Sequence, residues 1–334
     1  MRVLKLLVGN LTEDEIVSII AKKLVSRVAL GEHLTYPDDA RDLLPRAPRI
    51  VVSMDAYTVN SLMLPWRTLS DVGWSALTGA VSDVVVKGGV PHGCLIALGV
   101  PPSMELSHLE ELVDGISDAA KYYDVRVLGG DTNKSSEAWI AISVVGFTTA
   151  RVPPSRGGMR PGDVVIVTGT YGAMGYAVEH GFERAVQEKW VIEYTKRPKT
   201  RTEISYIVEN YYKAIDASMD VSDGLGYTLY TMSNLSGRGI IIKEAPRTPE
   251  QLVEICRAET RCLLKYALVG GEEYGAVLGV KQGWFKAIAS ELEYFNIPFA
   301  VVGEVSSSPP GLYFNGEKIP VKRYDQFKAW TQNI

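Results

Sequence analysis

Residues 219–225 read MDVSDGL and place three short polar side chains at the junction of a predicted strand and a predicted helix. Asp220, Ser222 and Asp223 are crowded together here, and Gly224 follows directly. One interpretation is structural, because a short acceptor such as Asp223 satisfies free amides at a helix start and Ser-Asp-Gly is common in turns. The other interpretation is functional, and it gains weight if other acidic groups occur at similar strand ends.

Acidic residues beside small or hydroxyl residues do recur in both halves of the chain. They lie in the segments DDA (38–40), SMD (53–55), VSD (81–83), GGD (129–131) and GGEEY (270–274). Asp83 is the most informative, because it interrupts an apolar helix and a buried carboxylate needs a partner. Converging carboxylates repel one another unless a cation joins them. Oxygen ligands favour Mg²⁺, which bridges carboxylates to phosphates, so the pattern predicts an ATP-dependent enzyme.

Composition and missing motifs exclude several other classes. The 334 residues are 46% hydrophobic and 22% charged, which indicates a globular protein of two domains. A net charge of -4 argues against a broad basic face for nucleic acid. The chain lacks the GxxxxGK[ST] pattern and the protein-kinase motifs. TGTYGAMG (168–175) lacks dinucleotide-binding spacing, so it predicts only a tight turn between a strand and a helix.

Cysteine usage and the chain start predict a cytoplasmic protein. Cys94, Cys256 and Cys262 form no CxxC pair, and the four histidines supply no zinc pattern. We therefore expect reduced, buried thiols in a reducing compartment. MRVLKLLVGN (1–10) lacks the features of a signal peptide. No apolar run approaches the roughly 20 residues of a membrane-spanning helix.

The periodicity predicts an α+β protein rather than a simple doubly wound sheet, because each half mixes strands and helices without strict alternation. The segment 150–163 is dense in proline, glycine and arginine, and it predicts a boundary between domains 1–150 and 151–334. YALVGGEEYGAVLGV (266–280) predicts two strands around an acidic turn. GLYFNGEKIPV (311–321) predicts a hairpin.

Eight motifs in a fixed order resemble the aminoimidazole-ribonucleotide-synthetase-like (PurM-like) superfamily of ATP-dependent enzymes. GGEEY (270–274) and YDQF (324–327) are similar to segments of its thiamine-monophosphate kinase family. The other motifs are DDA (38–40), SMD (53–55), VSD (81–83) with GGVP (88–91), LGGDT (128–132), RGGMRPGD (156–163) and DVSDGL (220–225). The pattern runs from about residue 36 to residue 327, which is most of the chain.

The resemblance implies a fold and a reaction that periodicity alone does not give. The N-terminal domain would pair with a second copy to close a β-barrel, giving a homodimer, and the C-terminal domain would be of α/β type. The reaction would be transfer of the ATP γ-phosphoryl group to thiamine monophosphate, without a protein nucleophile. The implied Mg²⁺ ligands are Asp38, Ser53, Asp55, Asp83, Asp131, Asp220 and Asp223; Arg156 and Ser222 would contact ATP, and Glu272 and Tyr324 the acceptor.

The sequence departs from this family where the acceptor would bind. The kinases carry a histidine that contacts the substrate, and the matching position here is Leu62. DAYTVNSLMLP (55–65) is more similar to a hydrogenase-maturation protein that uses a C-terminal cysteine, and we expect that chemistry to be absent because the sequence ends FKAWTQNI. Two alternatives stay open: an ATP-dependent enzyme of this superfamily with another acceptor, and an ATP-binding scaffold that lost its acceptor site.

Overall fold

The computed structural model describes residues 6–34, 37–38, 40–325 and 329–332, except for the side chains of 323–325 and 329–332. The chain divides into two compact units. Unit 1 comprises the chain up to Val84 together with Val90–Thr148, and unit 2 comprises Val85–Gly89 and the chain from Thr149 onward. None of the helices in these described ranges has the length and apolar character needed to cross a membrane.

Unit 1 is built on a four-stranded sheet in the order β1-β4-β2-β3. The β2–β3 pair is parallel and the other two pairs are antiparallel. Its elements are α1 (Glu13–Leu24), β1 (Arg49–Thr58), α2 (Val59–Leu62), α3 (Leu69–Val85), β2 (Val90–Val100), α4 (Leu106–Tyr122), β3 (Arg126–Lys134) and β4 (Trp139–Thr148), after a 3₁₀ turn at Val8–Asn10.

Helices α3 and α4 pack closely because glycines let their backbones approach. A Cβ atom on Gly73 of α3 would lie 2.2 Å from the carbonyl oxygen of Leu112, and one on Gly115 of α4 would lie 1.9 Å from that of Ser70. Helix α3 is apolar on most of its surface, which is typical of a helix buried on several sides. This packing leaves Asp83 as a half-buried carboxylate near the end of α3.

Unit 2 is built on a seven-stranded mixed sheet in the order β11-β10-β7-β9-β5-β8-β6. Its first elements are β5 (Val164–Thr168), α5 (Ala173–His180), α6 (Phe182–Ala185), α7 (Lys189–Thr195), α8 (Glu203–Tyr211), β6 (Ile215–Asp220), α9 (Leu225–Ser236), β7 (Gly239–Ile242), α10 (Glu250–Ile255) and α11 (Thr260–Ala267). Then follow β8 (Ala276–Val280), a 3₁₀ turn (Gln282–Trp284), α12 (Phe285–Tyr294), β9 (Phe299–Ser306), β10 (Gly311–Phe314), β11 (Glu317–Ile319), β12 (Lys322–Asp325) and β13 (Ala329–Gln332).

Several local predictions are confirmed and two are wrong. The strand–turn–helix around residues 164–180 and the hairpin of β10 and β11 are confirmed. The predicted strand at 266–269 is wrong, because YA ends helix α11 and only β8 forms after the acidic turn. The expectation of three reduced thiols is also wrong, since Cys256 and Cys262 form a disulfide. Cys94 is free and buried, and burial raises its thiol pKa to about 12.

Candidate functional site

In unit 1 the structure brings Ser53 and Asp83 together. The Ser53 hydroxyl donates a hydrogen bond to Asp83 Oδ2 at 2.6 Å, joining strand β1 to helix α3. Asp55 lies two residues further along β1 and therefore on the same face of the strand. Its Oδ2 accepts a hydrogen bond from the Tyr57 hydroxyl at 3.1 Å. Three of the predicted metal ligands thus share one side of one sheet edge.

Asp131 lies elsewhere in unit 1. It belongs to β3, the edge strand at the other side of the sheet from β1. The register pairs Asp131 with Ala97, and it pairs Leu95 with Ser143 and Ser143 with Met54. Residues paired in this way share a face of the sheet, so Asp131 shares the face of Met54, whereas Ser53 lies on the opposite face. The sheet therefore separates Asp131 from the Ser53–Asp83 pair within one chain.

Two further predicted positions of unit 1 are placed without joining this pair. Asp38 lies in an exposed bend before β1. Leu62, at the position of the family histidine, is only 3% exposed and packs in the core of unit 1. The Arg67 guanidinium donates to its carbonyl oxygen at 2.9 Å. The side chain at position 62 is therefore part of the core rather than a surface group that reaches a ligand.

In unit 2 three chain segments meet at one end of the sheet. Strand β8 runs antiparallel to both β5 and β6, so its start lies beside the ends of those two strands. The Thr168 hydroxyl at the end of β5 accepts a hydrogen bond from the Ala276 amide at 2.9 Å. Asp220, at the end of β6, pairs in register with Ala276. Loops after strand ends of this kind are a common location for binding residues.

Two of these loops are joined by backbone hydrogen bonds. We call residues 220–224 the Asp220 loop and residues 270–275 the Glu272 loop. The Glu272 amide donates to the Ser222 carbonyl at 2.7 Å, and the Tyr274 amide donates to the Val221 carbonyl at 2.9 Å. The Val221 amide donates in return to the carbonyl of Gly275 at 2.9 Å. Residues that the sequence places about 50 positions apart therefore form one rigid surface.

Glycine is required where these loops cross. A Cβ atom on Gly224, whose φ is +94°, would lie 2.6 Å from the carbonyl oxygen of Gly270. Glu272 and Tyr274 also have positive φ angles, of 58° and 45°. Such conformations are costly for residues other than glycine, and they persist where the surroundings fix them, often at functional sites.

The helix-capping role considered for Asp223 is wrong. Helix α9 has Gly224 as its N-cap, and no side chain caps it. Asp223 is exposed and Ser222 is half-buried, whereas Asp220 is only 1% exposed. The motif therefore presents two polar side chains at the loop surface and one carboxylate beneath it.

The two remaining predicted residues of unit 2 lie on other segments. Arg156 is exposed in a segment that runs beside β6, where Ser155 forms an isolated parallel bridge with Ala217. This segment is held closely, because a Cβ atom on Gly158 would lie 1.9 Å from the carbonyl oxygen of Asp216. Tyr324 belongs to β12, but its side chain falls outside the described part of the chain.

Sequence reasoning included Glu273 among the acidic residues but assigned a role only to its neighbour Glu272. Neither of its carboxylate oxygens is exposed to solvent or hydrogen-bonded to any described residue. Burial raises the pKa of Glu273 well above its usual range, and the negative charge of Glu272 adds to this. The amides of Gly172 and Glu273 favour the charged form, but neither reaches hydrogen-bond geometry, so burial dominates. The motif GGEEY gave no signal that the Glu273 carboxylate would be buried.

A second buried group lies close to Glu273. The Tyr171 hydroxyl donates to the Thr168 carbonyl at 2.7 Å. Burial raises the pKa of Tyr171, and the charges of Glu273 and Asp220 raise it further. In the part of the chain that the structure describes, no three or more acidic, histidine or cysteine side chains form a group that could hold a metal ion.

Two family models match this chain in succession. The N-terminal domain of AIR synthase related proteins matches residues 37–148, and the C-terminal domain of AIR synthase related proteins matches residues 160–313.

Comparison with characterised proteins gives a match over nearly the full chain. The thiamine-monophosphate kinase of Aquifex aeolicus is 30% identical over 95% of this chain and 99% of its own. A solved structure described as AaThiL complexed with AMPPCP and TMP is 26% identical, with a TM-score of 0.71 over 97% of this chain and 100% of that one. The Escherichia coli hydrogenase-maturation protein HypE is similar in fold alone, with 17% identity and a TM-score of 0.72 over 92% of this chain and 96% of its own.

Proposed function

We propose a function from one premise: the chain belongs to the thiamine-monophosphate kinase family of AIR synthase related proteins. It has the two-domain PurM-like fold of that superfamily, and it is an ATP-dependent phosphotransferase. The reaction converts thiamine monophosphate and ATP to thiamine diphosphate and ADP. The observation that carries this conclusion is the match to the Aquifex aeolicus kinase over 95% of the chain at 30% identity.

The reaction requires the protein to align the phosphate of thiamine monophosphate with the γ-phosphate of ATP. It does not require a covalent intermediate with the protein. A phosphate oxygen of thiamine monophosphate attacks the γ-phosphorus of ATP, and the bond to the β–γ bridging oxygen breaks. ADP leaves with the electron pair of that bond. Alignment and neutralisation of charge supply most of the acceleration in such reactions. We assign nucleotide contacts to Arg156 and Ser222, and acceptor contacts to Glu272 and Tyr324.

The joined loops of unit 2 support this assignment. Because the Glu272 amide bonds to the Ser222 carbonyl, the acceptor-side carboxylate and the nucleotide-side hydroxyl are held on one backbone unit. A displacement of one loop would therefore move the other. Groups fixed in this way need little reorganisation during phosphoryl transfer.

The donor set fits Mg²⁺, which would neutralise phosphate charge when bound. We propose that several Mg²⁺ ions are held by oxygen atoms of these residues: the carboxylates of Asp38, Asp55, Asp83, Asp131, Asp220 and Asp223 and the hydroxyl of Ser53. These are hard oxygen donors without sulfur or nitrogen, as Mg²⁺ prefers. No described group of three or more acidic residues is pre-formed. Mg²⁺ usually binds to one or two carboxylates together with phosphate oxygens and water, so a larger pre-formed cluster is not required.

The exposed face of the unit 1 sheet supports the proposed homodimer. Ile50, Val52 and Met54 on edge strand β1 are 55%, 61% and 63% exposed, and Leu95 on β2 is 49% exposed. The register places Met54 and Leu95 opposite the same residue, Ser143. A continuous apolar face of this kind marks an interface, and a long unprotected edge strand is otherwise a liability. We propose that a second copy of this chain covers it.

Oligomeric state measured by sedimentation or light scattering tests the dimer. We expect two chains per particle for the wild type and one for Met54→Lys, because a charge would be buried in the interface. Leu235→Lys changes a residue of α9 in unit 2 that is 61% exposed and should leave the dimer unchanged. A wild-type protein of one chain would contradict the proposal.

We also propose roles for the units and a cellular location. Unit 1 would carry dimerisation and Mg-ATP binding, and unit 2 would carry the acceptor and further nucleotide contacts. The reaction consumes ATP, which supports a cytoplasmic location.

The function is tested by incubating the purified protein with Mg²⁺, ATP and thiamine monophosphate and separating the products by chromatography. We expect ADP and thiamine diphosphate in equal amounts. ADP without thiamine diphosphate would favour a different acceptor, which the buried Leu62 in place of the family histidine also allows. Nucleotide binding without any turnover would favour a scaffold.

A further inference from the structure

We propose that Lys87 is a positioning residue for the nucleotide-binding part of unit 2, a role that rests on the proposed function. Lys87 follows helix α3 and belongs to the short segment Val85–Gly89 of unit 2. Its side chain is half-buried. A charged amine at such a place requires acceptors, and the structure supplies them.

The Lys87 ammonium group donates to two separate chain segments. It contacts the carbonyl oxygen of Pro154 at 3.2 Å, the carbonyl oxygen of Ser218, and the Ser218 hydroxyl at 3.4 Å. Pro154 and Ser218 are both buried. One side chain therefore satisfies carbonyl groups from two segments that are 64 residues apart.

Each of these segments delivers a proposed site residue two positions later. Pro154 precedes Arg156, and Ser218 precedes Asp220. Ser218 lies in strand β6, where residues two apart share a face. The Ser218 amide also donates to the carbonyl of Ser155 at 2.9 Å. Lys87 therefore joins the chain that carries Arg156 to the strand that ends at Asp220.

The backbone around Lys87 is itself fixed. Gly88 has a φ of +73°, and a Cβ atom there would lie 3.0 Å from the Glu209 amide nitrogen of helix α8. The Ser218 hydroxyl donates to the Val86 carbonyl at 2.5 Å. Because the chain is held on both sides of the lysine, its ammonium group is a fixed point rather than a mobile surface charge.

An apolar side chain at this position would leave the two carbonyl groups without this donor. Buried carbonyls need hydrogen-bond partners, and bonds from charged donors are stronger than neutral ones. The segment with Arg156 would then be held to β6 by fewer hydrogen bonds, which leaves it more mobile. The expected consequence is weaker nucleotide binding, because the guanidinium and the Asp220 loop would no longer be aligned.

The test compares Lys87→Met with Lys281→Met as a matched control. Lys281 donates to the Lys213 carbonyl at 2.5 Å and pairs with Asp216 Oδ1 at 3.4 Å, at the end of β6 remote from Asp220. Calorimetric titration with a non-hydrolysable Mg-ATP analogue measures nucleotide affinity independently of the acceptor. Steady-state kinetics give KM for ATP and for thiamine monophosphate, and thermal melting reports the fold.

We expect Lys87→Met to bind the ATP analogue about tenfold more weakly. KM for ATP should rise by a similar factor, KM for thiamine monophosphate should stay near the wild-type value, and Lys281→Met should match the wild type. Nucleotide affinity unchanged in a folded Lys87→Met protein would overturn the inference, as would an equal rise in both KM values.

If Lys87→Met does not fold, Lys87→Arg is titrated instead. We expect the same weakening, because a planar guanidinium cannot place one nitrogen among three acceptors; wild-type affinity would then refute the role. A wild-type protein that binds the analogue but does not phosphorylate thiamine monophosphate would defeat the proposed function and leave the Lys87 titration valid.

Discussion

The two units assemble their polar residues in different ways. In unit 1 they lie on strand faces and a helix, and the Ser53–Asp83 contact joins β1 to α3 at 2.6 Å. In unit 2 they lie in loops at one end of a sheet, and backbone hydrogen bonds join the Asp220 loop to the Glu272 loop. Successive residues of a strand point to opposite faces of a sheet. The strand register of unit 1 therefore places Asp131 and Ser53 on opposite faces. Loops at a common sheet end bring distant residues together instead.

The largest expected effect comes from removing one carboxylate of the unit 1 pair. Asp83→Asn should lower kcat/KM by at least about 100-fold, because charge stabilisation of transferring phosphate is lost. The fold should persist, since the asparagine oxygen still accepts the Ser53 hydrogen bond. Kinetics together with thermal melting check this. Wild-type activity in Asp83→Asn would remove Asp83 from the metal site.

Mixing two inactive variants tests whether Asp83 and Asp131 of one site come from the same chain or from the two chains of a dimer. Asp131 lies on the face that we assign to the dimer, opposite to the face of Ser53. If one site uses Asp83 of one chain and Asp131 of its partner, refolding Asp83→Asn with Asp131→Asn should restore about a quarter of the activity. Half of the dimers would then contain one chain of each variant. In each such dimer one of the two sites would have both aspartates and the other would have neither. No recovery in mixed dimers would place both residues in the same chain's site.

The disulfide gives unit 2 a covalent link that the described part of unit 1 lacks. Cys256 and Cys262 close a short loop between α10 and α11, whereas Cys94 is buried and free. The double change Cys256→Ser and Cys262→Ser should lower the free energy of unfolding by about 2 kcal/mol, since short loops give the smaller end of disulfide stabilisation. Denaturant unfolding measures this. A reductant should reproduce the loss in the wild type and have no effect on the variant.

The buried Glu273 predicts a pH dependence of stability that arises in unit 2. Its folded-state pKa is raised by burial, while the unfolded chain ionises from the ordinary value of 4.5 upward. Stability is therefore lost as the pH rises above that value, by at most about 1.4 kcal/mol per pH unit. Glu273→Gln should be more stable than the wild type at pH 7, with a difference that shrinks toward pH 4. Parallel unfolding curves at all pH values would contradict this.

The sequence alone predicted the class of reaction, because the reaction class depends on residue type and local spacing. The acidic motifs indicated an ATP-dependent enzyme before any contact was known, and the order of eight motifs gave the family. Both conclusions are confirmed, as is the α+β, PurM-like fold. The individual ligand assignments stay predictions, because they depend on distances that motifs do not encode.

Only the tertiary structure decided which residues meet. Strand register separates Asp131 from Ser53, and register follows from pairing across the whole sheet. The Glu273 carboxylate is buried in a loop that is fixed by backbone hydrogen bonds to the Asp220 loop. The contacts of Lys87 and the Cys256–Cys262 bond likewise depend on segments brought together by folding. Local spacing of residue types indicated the reaction, and long-range packing determined which side chains lie close together.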